Sequence, residues 1–182
     1  ALEQALRMVC AEGDGVLTDE YSFSTALETA VPLGVNIVGV PMDAEGLLPG
    51  EMDRILSEWD VSRQGRKPHV LYTVPTGQNP TGATQGEKRR REIYEVCRRH
   101  DIFIIEDEPY YYLQMAKPGE EETARETDVE KFLDGLIPTY ISMDVDGRVL
   151  RMDSFSKVVV PGSRMGWVTA SSQIIDRFVR HA

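Results

Sequence analysis

Short apolar runs alternate with amphipathic segments along the chain. The runs are rich in β-branched residues and predict strands at 15–18, 36–40, 70–74, 102–107, 148–152 and 166–170. Apolar residues at helical spacing between them predict helices near 2–11, 22–31, 50–58, 85–100, 129–136 and 172–181. Strands separated by helices predict an α/β fold of three layers, in which a mostly parallel sheet lies between two helical layers.

Charged segments add detail to this pattern. Thr84 and Glu87 have capping-box spacing, so we predict the N-terminus of a helix at "TQGE". The basic run at 88–91 follows, and we interpret it as a solvated face that lies away from the apolar side of the helix. That apolar side is expected at Ile93, Val96, Cys97 and His100. The polar, acidic segment at 117–128 predicts a surface loop.

The composition is that of one globular domain. The chain has 182 residues, of which 41% are hydrophobic, and its formal net charge of -10 argues against nucleic-acid binding. Cys10 and Cys97 form no metal-ligand or disulfide motif, so we expect buried free thiols and no metal. No apolar run reaches the length of a membrane span and no signal-peptide pattern is present, so we expect a soluble, cytoplasmic protein.

Helical patterns reach both ends of the chain. The apolar phase begins at Leu2 with no capping residue before it. The last helix, which we expect to begin at Ser171 or Ser172, ends without glycine or proline. We therefore expect the parent protein to extend beyond both ends.

Reactive side chains follow three of the predicted strands. The loop "PTGQNPTG" follows the strand at 70–74, "EPYYY" follows "IFIIED", and "SFSK" follows "RVLRMD". Because ligands of open α/β sheets bind beyond the carboxyl ends of the strands, we expect a carboxylate, a phenol, an amide and a lysine to converge there. A lysine beside a second cation is a candidate nucleophile toward a carbonyl, which indicates Schiff-base chemistry.

These residues resemble the fold-type I pyridoxal-phosphate (PLP) enzymes, and among them the aminotransferases. The resemblance depends on "NPTG" at 79–82, "DEPY" at 107–110 and "SFSKVVVPGSRMGW" at 154–167, in the family's order and across most of the chain. Within the family, "VPTGQNPTG", "IIEDEPYYYLQ" and "SMDVDGRVLRMDSFSK" are most similar to the 2-aminoadipate, kynurenine and fungal aromatic aminotransferases.

The resemblance implies a role for each matching residue. Lys157 would form the Schiff base with PLP and later move the substrate's Cα proton. Asp107 would keep the pyridine nitrogen protonated. Glu106 is its competitor, and the family's spacing of three positions between Asp and Tyr selects Asp107 together with Tyr110.

Further matching residues would hold the other parts of the cofactor. Tyr110 and Asn79 would hydrogen-bond its phenolic oxygen. The phosphate would be held by Ser154, Arg164 and Ser156, of which Ser156 is left open because its side chain can face the other way. Phe23 would stack on the ring, with Tyr21 as the alternative.

The resemblance also implies parts that lie outside this sequence. The phosphate-binding turn would precede Ala1, and a small C-terminal domain with the arginine for the substrate carboxylate would follow Ala182. The chain would thus be an incomplete PLP-binding large domain of a homodimer, and alone it could be inactive. The implied reaction is amino transfer from an aromatic or 2-aminoadipate-like L-α-amino acid to a 2-oxo acid such as 2-oxoglutarate.

Three alternatives share these motifs. One is a fold-type I enzyme that breaks a different bond, such as 1-aminocyclopropane-1-carboxylate synthase or a β-lyase. Another is the PLP-sensing, aminotransferase-like domain of a GntR-type transcription regulator. The third is a fold relative that has lost the cofactor, against which the presence of Lys157, Asp107 and Arg164 argues.

Overall fold

A twisted sheet forms the centre of the protein, for which a computed structural model describes residues 1–114 and 128–181. The strands are β1 (Gly15–Asp19), β2 (Asn36–Val40), β3 (Met42–Asp43), β4 (Gly46–Leu47), β5 (Val70–Thr73), β6 (Phe103–Asp107), β7 (Val149–Ser154) and β8 (Gly166–Thr169). The main sheet has the order β2-β1-β5-β6-β7-β8, in which only β8 pairs antiparallel to its neighbour. The strands β3 and β4 form a separate hairpin.

Helices cover both faces of this sheet. They are α1 (Leu2–Val9), α2 (Ser24–Ala30), α3 (Pro49–Ser57), α4 (Val61–Gln64), α5 (Glu87–Arg99), α6 (Val129–Asp134), α7 (Tyr140–Met143) and α8 (Ser172–Arg180). One core cluster joins the sheet to α1, α2 and α8, and a second joins it to α3, α5 and α7. The prediction of three layers around a mostly parallel sheet is therefore confirmed.

The order of the strands creates a switch point. From β1 the chain continues to β2 at one edge of the sheet, whereas from β5 it continues to β6 on the other side. The loops that leave β1 and β5 therefore diverge, which opens a crevice beyond the carboxyl ends of these strands. In open α/β sheets such a crevice is the usual place for a ligand.

The predicted elements are all present, with boundaries that differ by at most two residues. The hairpin of β3 and β4 and the short helices α4 and α7 were not predicted, because two to four residues give no readable period. The capping-box prediction is wrong. Gly86 precedes α5 without a side-chain cap, and the Thr84 hydroxyl instead accepts a hydrogen bond from the Gly77 N–H, at 3.0 Å.

The interpretation of 88–91 as a solvated face is wrong for Arg90. Its side chain is fully buried and donates to Glu108 Oε1 at 3.0 Å and to Thr76 Oγ1 at 2.8 Å. Arg89 is also mostly buried, with 13% of its side chain exposed, and it pairs with Asp43 at 2.9 Å, so the interpretation fails there too. By contrast, Lys88 and Arg91 are largely exposed. The predicted loop at 117–128 lies outside the described residues except for Asp128, which caps α6.

Both cysteines are free thiols, as predicted. Cys97 is fully buried, whereas Cys10 is partly exposed. Burial raises the pKa of Cys10 to about 12, so this thiol stays protonated at neutral pH. Within the described residues, no group of His, Cys, Asp or Glu could hold a metal ion, and no helix is long and apolar enough to cross a membrane.

Replacing Arg90 by methionine is expected to destabilise the full-length apoprotein by about 3–5 kcal/mol, because Glu108 would remain buried without its cation. The control is Arg91→Met on the same helix. It removes an exposed ion pair with Glu87 and should cost about 0.5 kcal/mol or less. Urea unfolding of both variants measures the difference. Equal, small losses would show that the buried pair has little importance for stability.

Candidate active site

The residues expected at the site come from four neighbouring strands. Asp107 is the last residue of β6, and Ser154 is the last residue of β7. The loops that follow β1, β5 and β7 carry Phe23, Asn79 and Lys157. All of these positions lie at the carboxyl edge of the sheet, around the crevice between β1 and β5.

Asp107 is held by the sheet itself. The Tyr72 hydroxyl donates a hydrogen bond to its carboxylate at 2.8 Å. Burial raises the pKa of Asp107 to about 6, against the opposing effect of that hydrogen bond, and the nearby Asp153 carboxylate adds to the rise. The site thus holds a carboxylate that a cationic partner would stabilise in its ionised form.

Glu106 points to the opposite face of the sheet. Its carboxylate accepts hydrogen bonds from the backbone N–H groups of Tyr140 and Ile141, at 2.8 and 3.1 Å. These are the first two residues of α7, where the helix leaves N–H groups without partners. Glu106 is therefore used inside the fold, and Asp107 is the carboxylate left for a ligand.

Lys157 and Tyr110 lie close to each other. The Lys157 ammonium is 5.9 Å from the centroid of the Tyr110 ring, and the lysine is exposed. Tyr110 also borders the loop that carries Asn79, since a Cβ on Gly77 would lie 3.5 Å from the Tyr110 Cβ. The loops after β5, β6 and β7 therefore meet around this tyrosine.

Ser154, Ser156 and Arg164 form one hydrogen-bonded chain. The Ser156 N–H donates to the Ser154 hydroxyl at 3.1 Å, and the Arg164 guanidinium donates to the Ser156 hydroxyl at 3.3 Å. Arg164 also donates to the carbonyl of Pro161 at 3.1 Å. The side chain of Ser156 thus faces Arg164, and two hydroxyls and a guanidinium are gathered in one place.

Phe23 and Asn79 are placed by their loops rather than by direct bonds to the other site residues. Phe23 is partly buried and packs, as Tyr110 does, against the core cluster that contains Tyr72, whereas Tyr21 is 59% exposed. Asn79 is partly buried. In the described ranges no hydrogen bond joins Asn79 to Tyr110.

Sequence reasoning missed two features that support the candidate site. Tyr72 belongs to a predicted strand, but only its register opposite Ile105 shows that it shares a face with Asp107.

The second missed feature is the pair of Arg90 and Glu108, which supports the loop after β5 through Thr76. The spacing of Arg90 to Ile93 and Cys97 was the available signal, because these positions share one side of a helix.

Comparison with known proteins agrees with this geometry. The family model "Aminotransferase class I and II" matches residues 1–182. The chain belongs to this family. The family members are PLP enzymes, in agreement with the earlier resemblance.

Similar proteins include aromatic and kynurenine aminotransferases. An aromatic amino acid aminotransferase of Schizosaccharomyces pombe is 54% identical over all of this chain and 39% of its own length. The mitochondrial kynurenine/alpha-aminoadipate aminotransferase of Mus musculus is 42% identical over 98% of this chain and 39% of its own. The crystal structure of the aminotransferase Aro8 from Candida albicans superposes with a TM-score of 0.90 at 46% identity, covering 98% of this chain and 37% of that one. The chain thus spans well under half the length of its relatives.

Proposed function

We propose that this chain is part of the cofactor-binding large domain of a PLP-dependent aminotransferase. The observation that supports this best is the placement of Asp107 and the Lys157 loop on adjacent strands, with Asp107 opposite Met152 in β7. A partly buried acid and an exposed lysine thereby border one crevice beside Tyr110. The other fold-type I reactions and the sensor role have no such support among the relatives named above.

The donor set fits PLP at two points. The partly buried carboxylate of Asp107, whose pKa is raised, suits a protonated pyridine nitrogen, because a cation would offset the cost of ionising the acid. Arg164 with Ser154 and Ser156 suits a phosphate, which accepts several charge-assisted hydrogen bonds. Bound PLP would supply an aldehyde for amines and a ring that withdraws electrons from the substrate Cα.

The side chains then have separate tasks. Lys157 Nζ would first act as a general base and accept the proton from the substrate Cα. It would then act as a general acid and donate this proton to the cofactor. Asp107 would hold the proton on the ring nitrogen through both halves of the cycle. Tyr110 and Asn79 would donate to the phenolic oxygen, and Phe23 would cover one face of the ring.

The substrates and the assembly are inferred from the relatives. Aromatic and 2-aminoadipate-like amino acids are proposed as donors, because similar proteins are named for aromatic, kynurenine and alpha-aminoadipate substrates. A tyrosine aminotransferase relative is named for 2-oxoglutarate, which we propose as the acceptor. A homodimer and a cytoplasmic location stay predictions, and the mouse relative is named as mitochondrial.

Absorbance spectra of the full-length protein with PLP test the proposal. A visible band should form, bleach on addition of an aromatic amino acid, and return on addition of 2-oxoglutarate. The return separates amino transfer from lyase or synthase chemistry, which would release a different product. A protein without a band, or with a band that no amino acid bleaches, would contradict the proposed function.

A further inference from the structure

Gln78 organises the loop in which Asn79 lies. Its side chain is almost completely buried, with 2% exposed. The amide oxygen accepts hydrogen bonds from the N–H and the hydroxyl of Thr81, at 3.0 and 2.6 Å. The backbone N–H of Gln78 donates to the Ala83 carbonyl at 2.8 Å. These bonds close the segment 78–83 into a compact turn.

The other end of the same amide reaches a different loop. The Gln78 Nε2 donates to the backbone carbonyl of Tyr21, which lies between β1 and α2, two residues before Phe23. The bond is made to the main chain, so it constrains the path of the loop and not one side chain. Gln78 therefore joins the two loops that diverge at the switch point of the sheet.

A buried acid lies under this connection. Asp19 ends β1 and accepts a hydrogen bond from the Thr73 hydroxyl at 3.1 Å, while its second oxygen has no partner among the described residues. Burial raises the pKa of Asp19 to about 6, and the nearby Gln78 amide is one of the groups that oppose the rise. Gln78 thus also contributes to the polar surroundings of Asp19 beneath the two loops.

We propose that Gln78 is a positioning residue that fixes Asn79 and Phe23 relative to each other. The inference rests on the proposed function, in which Asn79 contacts an edge of the cofactor ring and Phe23 contacts its face. Such contacts need supporting groups that hold them to within roughly 0.5 Å. One buried amide bonded to both loops provides that support, although it touches no reacting atom.

Hydrogen exchange of the full-length apoprotein tests the connection without cofactor. Gln78→Met keeps the length of the side chain and removes its hydrogen bonds. The hydrogen-bonded amides of Glu20, Ala26 and Leu27 beside the Tyr21 loop, and those at 78 and 81–83, should therefore exchange at least about 10-fold faster. The matched control is Gln85→Met. Gln85 is 1% exposed and bonds Thr73 and Tyr140, but it does not bond the Tyr21 loop. Equal exchange at Glu20, Ala26 and Leu27 in both variants would overturn the inference.

A second measurement follows the bound cofactor. In Gln78→Met the pH midpoint of the visible absorbance band should rise by about half a unit or more, because a displaced Asn79 stabilises the phenolic anion less. The Kd for PLP should rise about 10-fold, since the ring loses two positioned contacts. In Gln85→Met the midpoint should stay within about 0.2 pH units of the wild-type value.

The outcomes separate the two proposals. Wild-type protein that binds no PLP would overturn the proposed function and, with it, the role of Gln78 toward the cofactor. Wild-type binding with an unshifted midpoint in Gln78→Met would overturn this inference alone. Should Gln78→Met fail to fold, Gln78→Glu keeps an acceptor for Thr81, and its ionised form has no donor for the Tyr21 carbonyl. Because the new charge would itself shift the midpoint, this variant is tested by hydrogen exchange, which must rise at Glu20, Ala26 and Leu27 as in Gln78→Met.

Discussion

Replacing Lys157 by alanine in the full-length protein should lower kcat for amino transfer by about 10³-fold or more. Proton transfer by a positioned side chain contributes about 10²–10⁴-fold, and Lys157 is also the proposed covalent anchor of the cofactor. The exposed ammonium already lies 5.9 Å from the Tyr110 ring, at the border of the crevice. The measurement is the steady-state rate with an aromatic amino acid and 2-oxoglutarate, together with the visible spectrum.

Lys88→Ala is the matched control, because the Lys88 side chain is 91% exposed on α5 and has no role in the proposed site. It should leave the rate and the spectrum unchanged. A small primary amine in the buffer should restore part of the activity of Lys157→Ala by replacing the missing base. Wild-type rates in Lys157→Ala would exclude this lysine as the proton carrier and contradict the proposed mechanism.

The choice between Asp107 and Glu106 shows what the sequence can predict. Both acids end the same strand, and a period of two requires them to face opposite sides. The structure places Glu106 against the first turn of α7 and Asp107 beside Tyr72. Local rules of this kind also predicted the strands and helices, since each depends on only a few consecutive residues.

Arg90 shows why the interpretation of the basic run as a solvated face failed. Its spacing to Ile93 and Cys97 places it on the buried side of α5, but the run of four basic residues suggested solvent. Burial is possible because Glu108, 18 positions away, and Thr76 lie opposite its guanidinium. The contacts of Gln78 with Tyr21 and of Tyr72 with Asp107 have the same character, because partners far apart in sequence depend on the register of the sheet.

Asp107→Asn should have two opposite effects on the full-length protein. Amino transfer should fall by about 10²-fold or more, because asparagine cannot keep the ring nitrogen protonated and the ring then withdraws electrons less well. The apoprotein should become more stable, because the neutral amide has a similar shape and no buried charge. Steady-state rates and urea unfolding of the apoprotein measure the two effects.

The sign of the stability change follows from the pKa of Asp107, which rises from 3.8 to about 6 on folding. The folded state binds the proton more tightly, so the stabilising contribution of this group is complete below about pH 4 and is lost as the pH rises through 6. Because asparagine does not ionise, the free energy of unfolding of Asp107→Asn should exceed that of the wild type by about 3 kcal/mol at pH 8 and by about half as much at pH 5.

A matched substitution and the cofactor complete the test of Asp107. Asp134→Asn, at an exposed position of α6, should change stability by less than about 0.5 kcal/mol at either pH. Added PLP should reverse the order, because its cationic ring would pair with ionised Asp107 and stabilise the wild type more than Asp107→Asn. An apoprotein variant that is less stable than wild type at pH 8 would contradict the raised pKa of Asp107. A variant that binds PLP equally well and stays fully active would show that this carboxylate does not serve a cationic ligand.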